Sequence, residues 1–427
     1  MFKKILGTLG TRIVAAILSF TTWILNAQYL GSEKVGTISL LIFSVVIIQL
    51  FTNFISGAAL IYQTPRAGVY RLLIPAYIWT PVITIASGYL MFFAGNFFPV
   101  MKIIPEGYFT AVLALALVMS FTSVNYMLLL GLEKVKMFNL CNLLQSICLM
   151  LVLLLILFGF RVHDVMAFYR AIFISYAIAF LVSFFTLVPS IKRVPLTGML
   201  GLIRDILRFG TYVQVANIFQ TMNYRLSLKF VDMFSGRGAV GVLTIGMQLA
   251  EGLWLISRSI GTVQYSRMSN EMNFDYSVKL TLTFAKISWV VTAMAMALLL
   301  CIPQFVFTSL FSSSFSEVKP VIASLAAGIV MLSVSMIFSG FFSAINKPYY
   351  NTIGSAIGLV FTIGLGLLLV PRYGIIGAGI SASVSYFFIT LFQFIIFSRM
   401  TRLRLRDFML TKTEIRLLIG ELKKISG

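Results

Sequence analysis

Twelve apolar stretches, each about as long as a membrane is thick, follow one another along this chain of 427 residues with only short polar or basic turns between them. A helix needs roughly 20 apolar residues to cross a hydrocarbon layer about 30 Å deep. The spans read as 11 to 30, 37 to 62, 72 to 95, 108 to 130, 138 to 160, 167 to 189, 208 to 231, 239 to 261, 280 to 303, 320 to 345, 350 to 370 and 375 to 398. With 59% hydrophobic residues and 11% charged ones, the chain carries more apolar surface than a water-soluble core could hide. The runs are too long and too unbroken for barrel strands, and a backbone in lipid must satisfy its own polar groups, so each is expected to be a helix. The sequence predicts an all-α, polytopic membrane protein. Its first span, "TRIVAAILSFTTWILNAQYL", is full-length and lacks the small-residue ending of a cleavable signal.

Charge sets the expected orientation. Of 33 Lys and Arg, twenty-one fall on the side that holds both termini and eight on the other. Cytoplasmic loops retain more basic residues, so both termini are expected in the cytoplasm. The formal net charge of +20 then follows from topology and from contact with anionic membrane lipids. The basic residues form no stripe, which argues against nucleic acid as a partner. In the basic tail, 399–427, Thr411 and Glu414 form a capping box before Ile415, Leu418, Ile419 and Leu422, the pattern of an amphipathic helix lying on the membrane. Cys141, Cys148 and Cys301 all lie in or at the edge of spans without metal-ligand spacing and read as packing residues.

One phrase is written twice. "LGSEKVG", Leu30 to Gly36, joins spans one and two; "SGRGAVG", Ser235 to Gly241, joins spans seven and eight. Six spans separate the copies, an even number, so they face the same side, and the halves should be related by an axis along the membrane normal. "GLEKVKMFN" after span four and "AINKPYYN" after span ten are a second, looser echo. The expected organisation is a six-helix lobe over 1–190, a basic linker over 191–207, a second six-helix lobe over 208–398 and the tail. Two such lobes would leave a central cleft suited to alternating access.

An ionisable residue at membrane depth costs about 2.5 to 3.5 kcal/mol on insertion scales, so each one in a span needs a reason. Four basic residues, Arg12, Arg225, Arg258 and Lys286, lie within spans, against one acid, Glu251. If they face the cleft it is cationic and suits an anionic substrate; snorkelling to an interface is the alternative for Arg12, Arg225 and Lys286. Glu251 is expected to be a charge partner of Arg225 or Arg258, and otherwise an ion carrier. Arg258 follows it by seven residues, which would put both on one helix face. Asn26, Asn53 and Asn125 in the first lobe, and Asn217, Gln220 and Asn223 in span seven, could line a path for sugar; some would instead bridge helices. Gly354 and Gly358, and Gly377, Ser381 and Ser385, read as close-packing pairs. No nucleotide-binding loop, catalytic set or metal cluster is written in the sequence, so no cofactor, metal or catalytic residue is expected and a transporter is favoured over an enzyme.

Four stretches, "TRIVAAILSFTTWILNAQYLGSEKVG", "LLGLEKVKMFNLCNLLQSI", "AVGVLTIGMQLAEGLWLISRSIGTVQYSRMS" and "VPRYGIIGAGISASVSY", resemble polysaccharide flippases of the superfamily that also holds multidrug extruders and lipid II flippases. The resemblance is greatest to the Wzx-type O-antigen and capsule flippases. It implies two six-helix lobes in a V, a cationic central cavity, and passage of undecaprenyl-pyrophosphate-linked oligosaccharide across a bacterial inner membrane. The expected partners are that lipid-linked anionic substrate and a polysaccharide polymerase, with the chain itself a monomer. A cation-coupled multidrug antiporter of the same fold is the alternative, and a polysaccharide polymerase or ligase a weaker one.

Overall fold

The computed structural model describes residues 2–98, 102–192, 194–270, 274–345 and 347–402. The tail residues read above as an amphipathic helix lie outside the described residues, as does the side chain of Arg12. The chain forms α1 (Phe2–Ser56), α2 (Ala58–Ala67), α3 (Val69–Phe97), α4 (Phe109–Gly131), α5 (Val135–Leu154) and α6 (Val165–Leu187). It continues through α7 (Met199–Gly252), α8 (Trp254–Asn270), α9 (Phe274–Cys301), α10 (Gln304–Phe311), α11 (Val318–Ala344) and α12 (Tyr349–Thr401). No strand occurs among the described residues. The protein is an all-helical, multi-pass membrane protein.

Three helices are too long for one crossing. α1, α7 and α12 have 55, 54 and 53 residues, about 80 Å at 1.5 Å per residue. Each is broken once, at a glycine of positive φ: Gly31 (φ 78°, ψ 172°), Gly236 (φ 83°, ψ 173°) and Gly374 (φ 55°, ψ −132°). Nothing crowds Gly31 or Gly236, so the backbone angle alone calls for glycine there. Among the described residues, eight helical stretches are long and apolar enough to span a membrane, or nine when α7 and α8, bent by 40°, count as one. The three glycine breaks raise nine to twelve, at the positions read from the sequence.

α12 shows what such a break does. Ser381 Oγ donates to the Thr362 carbonyl (3.3 Å), Ser385 Oγ to the Gly358 carbonyl (2.7 Å), and Gln393 Nε2 to Asn351 Oδ1 (3.2 Å). All three pairs are centred within one residue of position 372, so the two halves of α12 lie antiparallel. Pro371, which lacks an N–H, and Gly374 make the turn. The small residues Gly354, Gly358, Gly377, Ser381 and Ser385 are buried in this hairpin, where they permit the close approach.

The repeated phrase meets itself. A Cβ on Gly36 would strike the carbonyl oxygen of Arg237, and a Cβ on Gly241 would strike that of Ser32. Adding 205 to 36 and 32 gives 241 and 237, so the two contacts are one contact seen from either copy. This is the self-complementary pattern of a two-fold axis, here within one chain. Glycine is required because backbone, unlike a side-chain tip, cannot move aside.

By internal contacts the chain divides into two compact units, Met1–Ile245 with Gln304–Val318, and Gly246–Pro303 with Lys319–Gly427. Near the Gly31 end of the first unit, Ile38, Leu41 and Val45 of α1 pack with Val112 and Leu115 of α4 and Phe168 and Ile172 of α6. Toward its other end Ile55, Leu60, Leu72, Leu128, Leu187 and Ile206 form a second cluster. The core of the second unit is phenyl-rich: Phe338, Phe341, Phe342 and Phe397 are fully buried, with Phe341 edge-on to Phe397 at 4.8 Å between centroids.

Replacing Gly36 or Gly241 by valine is expected to destabilise the purified protein by about 1–3 kcal/mol, the usual cost of overpacking. Gly364→Ala, at a helical glycine with open space around it, should leave the thermal midpoint unchanged or raised. Thermal unfolding of the variants side by side checks this, and an unchanged midpoint for both valine variants would remove the crossing from the account.

Candidate functional site

The first half of α7 is held against α1 at two places. Arg237, just beyond the Gly236 break, meets Gly36, and Gly210 meets the carbonyl of Phe54. Eighteen residues of α1 lie between these contacts but twenty-seven of α7, roughly 27 Å against 40 Å of helix. Segments joined at both ends yet so unequal in length cannot touch along their whole course. Arg225 sits near the middle of the longer one and is half-buried. Along the same helix, Asn217 and Gln220 are exposed; Asn217 Nδ2 donates to the buried Gln214 Oε1 (3.3 Å) and Gln220 Nε2 to the Tyr224 hydroxyl (3.2 Å), while Asn223 is buried.

In the second unit α8 and α9 run antiparallel. Ser257 Oγ lies 2.7 Å from Ser288 Oγ, and seven residues on, Gln264 Nε2 donates to Thr281 Oγ1 (2.9 Å). These pairings set Lys286 across from Ser259, one position from Arg258, so two of the four intramembrane cations share one level of a helix pair. Lys286 is buried at 9% exposure and Arg258 is exposed. Burial of Lys286 inside the unit differs from the snorkelling alternative. Glu251 is half-buried. Between Glu251 and Arg258 the helix is interrupted: it stops at Gly252, and Leu253 and Ile256 donate to the carbonyls of Ala250 and Leu253 (3.2 and 3.3 Å) before α8 sets off at 40°. A seven-residue spacing returns to one face only in an unbroken helix.

The asparagines of the first unit divide by environment. Asn125 Oδ1 accepts from the Tyr77 hydroxyl (2.6 Å), and its Nδ2 donates to Ser183 Oγ (3.0 Å) and to the Phe180 carbonyl (3.4 Å), so it ties α4 to α3 and α6. Asn53 is half-buried. Asn26 is wholly buried in α1, and neither end of its amide has a hydrogen-bond partner among the described residues. A buried amide left this way is a cost, and one retained at a cost points to a role outside packing.

One polar cavity was not legible in the sequence. It measures about 200 Å³ and is lined by Leu40 of α1, by 102–106 in the connection from α3 to α4, and by Lys229, Asp232 and Arg237 of α7. Lys102 Nζ pairs with Glu106 (2.6 Å), and Lys229 Nζ with Asp232 (3.1 Å) while also donating to the Lys102 carbonyl (2.6 Å). The Lys102 ammonium, with help from Arg237, holds the Glu106 carboxyl below the usual carboxylate range. Lys102 and Lys229 are 127 positions apart, so counting charges loop by loop could not bring them together; only the close spacings Lys102–Glu106 and Lys229–Asp232 hinted at local pairs.

This helical architecture is similar to that of solved transporters of the MOP superfamily. The lipid II flippase MurJ, in an inward closed conformation, superposes with a TM-score of 0.74 over 93% of this chain and 88% of that one, at 14% identity. An inward-facing multidrug resistance MATE family transporter of the superfamily gives 0.73 over 91% and 94%, at 16% identity. A superfamily member from Pyrococcus furiosus, described as having a binding pocket of reversed polarity that suggests a different function, gives 0.63 over 93% and 94%, at 15% identity. At these identities the likeness is one of fold. In sequence, the chain is 26% identical over 196 residues to an uncharacterized membrane protein of Methanocaldococcus jannaschii; the match spans 45% of this chain and 39% of that protein, so it reaches about two fifths of the relative's length. No family model matches the chain.

Asn26→Leu is expected to raise stability by about 1–3 kcal/mol, because it removes an unpaired buried amide, whereas Asn125→Leu should lower it by a similar amount by stranding the Tyr77 hydroxyl. Thermal melts of the two variants in one detergent decide it, and a destabilised Asn26→Leu would mean that its amide is satisfied after all.

Proposed function

We propose that the protein is a flippase that carries an undecaprenyl-pyrophosphate-linked oligosaccharide, of the O-antigen or capsule repeat-unit type, from the inner to the outer leaflet of a bacterial inner membrane. The observation that carries this reading is the sign of the charge within the spans: Arg12, Arg225, Arg258 and Lys286 against Glu251 alone. A pyrophosphate matches it, because guanidinium groups bind phosphate oxygens through paired, charge-assisted hydrogen bonds. The fold shared with a lipid II flippase supports a lipid-linked cargo. In this reading the lobes 1–190 and 208–398, joined by 191–207, alternate access to a cationic central cavity. Both termini and the tail 399–427 are cytoplasmic, Asn53, Asn217 and Gln220, which reach the surface, offer hydrogen bonds to the sugars, and a polymerase consumes the delivered units while the flippase works as a monomer.

The fold shared with a multidrug transporter supports a second reading, a cation-coupled antiporter. In that case Glu251 is the coupling group; for the Pyrococcus furiosus protein, a pocket of reversed polarity is what suggests a different function.

Arg225→Ala should abolish surface polysaccharide in the producing cell, and Arg225→Lys should retain part of it, since the charge survives and the paired geometry does not. The measurement is surface glycan together with the undecaprenyl-linked units left on the inner leaflet. Normal glycan with Arg225→Ala, combined with Glu251-dependent dye efflux, would hand the protein to the antiporter reading.

A further inference from the structure

The cavity beside the repeated glycine crossing has a charge balance that its own residues do not settle. Lys102 and Lys229 are each matched by a carboxylate, Glu106 and Asp232. Arg237, on the same wall, has no direct salt bridge among the described residues and acts on Glu106 only through space. The balance is three cations to two carboxylates, one positive charge in surplus. Lys229 is nearly fully buried at 4% exposure, and its bond to the Lys102 carbonyl fixes the wall of the cavity to α7.

Size narrows the ligand. About 200 Å³ is less than the roughly 300–1,000 Å³ of pockets that enclose drug-sized molecules, and at roughly 30 Å³ per water it holds a few waters' worth of solute. An oligosaccharide does not fit, whereas one tetrahedral anion does. Arg237 offers a planar fork that can grip two oxygens of such a group, and the two lysines add point charges on either side.

We propose that this cavity is an anion site for a single phosphate group, with Arg237 as its principal ligand and Lys102 and Lys229 as flanking cations. Its lining includes none of Arg225, Arg258 and Lys286, and it does not depend on the flippase reading. Two sources supply this chemistry, free inorganic phosphate and the phosphate of a lipid headgroup.

The test is calorimetric titration of the purified full chain in a neutral detergent at low ionic strength, with inorganic phosphate in one arm and a short-chain phosphatidylglycerol in the other, and sodium chloride as the ionic-strength control. Saturable binding is expected in at least one arm, and the tighter arm names the source. Arg237→Gln should weaken it by about tenfold or more, the scale of one lost charge-assisted contact, Arg237→Lys should weaken it less, and Glu106→Gln should tighten it several-fold by removing a competing carboxylate. Saturable binding that is lost in Arg225→Ala but kept in Arg237→Gln would place the anion at the transport cations instead and overturn the proposal, so failure here is distinguishable from failure of the transport reading. Absence of saturable binding in both arms overturns the proposal, as does an affinity that stays within twofold of wild type in both Arg237→Gln and Glu106→Gln with unfolding midpoints preserved.

Discussion

A chain in hydrocarbon has nowhere to send its N–H and C=O groups except along its own helices, and every other feature of this protein follows from meeting that demand while still turning corners. Corners are where helical bonding lapses, so they are short and made by residues that tolerate it. Gly31, Gly236 and Gly374 each break a helix with a single positive φ, leaving it intact on both sides, and at Gly374 the chain doubles back on itself. At Gly36 and Gly241 the same residue type does a different job: it lets two backbones approach until a side chain would collide with a carbonyl. Turn and crossing lie five residues apart in each copy, and their repetition brings the two copies face to face.

Packing inside the membrane gains little from hydrophobicity, because lipid is as apolar as leucine, and small residues and hydrogen bonds carry more of the specificity. The interior shows this. Asn125 binds three helices together, and Gln393 accepts from Ser335 (2.6 Å) while donating to Ser339 and Asn351, joining α11 to both halves of α12. The hydroxyls of Ser257, Ser288 and Thr281 pair α8 with α9. Against that background the buried amide of Asn26, without a hydrogen-bond partner among the described residues, stands out.

The fold itself does not choose a substrate. Multidrug transporters and a lipid II flippase share it at 14–16% identity, so the choice rests on which ionisable groups stand at membrane depth and what surrounds them. Here cations outnumber acids, the sign an anionic headgroup requires. The break at Leu253 also separates Glu251 from the helix that carries Arg258, so the sequence spacing between them no longer dictates a pairing.

The all-helical, multi-pass character and the repeated glycine phrase were legible in the sequence, because hydropathy and glycine spacing are local properties that survive without coordinates. What was hidden depended on residues far apart. No spacing shows that Gly36 touches Arg237 and that Gly241 answers it at Ser32, that Lys229 reaches the carbonyl of Lys102, or that Asn125 is spent on its neighbours while Asn26 is not. A polar residue in an apolar helix looks the same on every face until another helix covers one of them. Sequence alone decided that this chain crosses a membrane many times as helices, since lipid permits little else; tertiary structure alone decided which polar groups satisfy one another, because that depends on which helix covers which face.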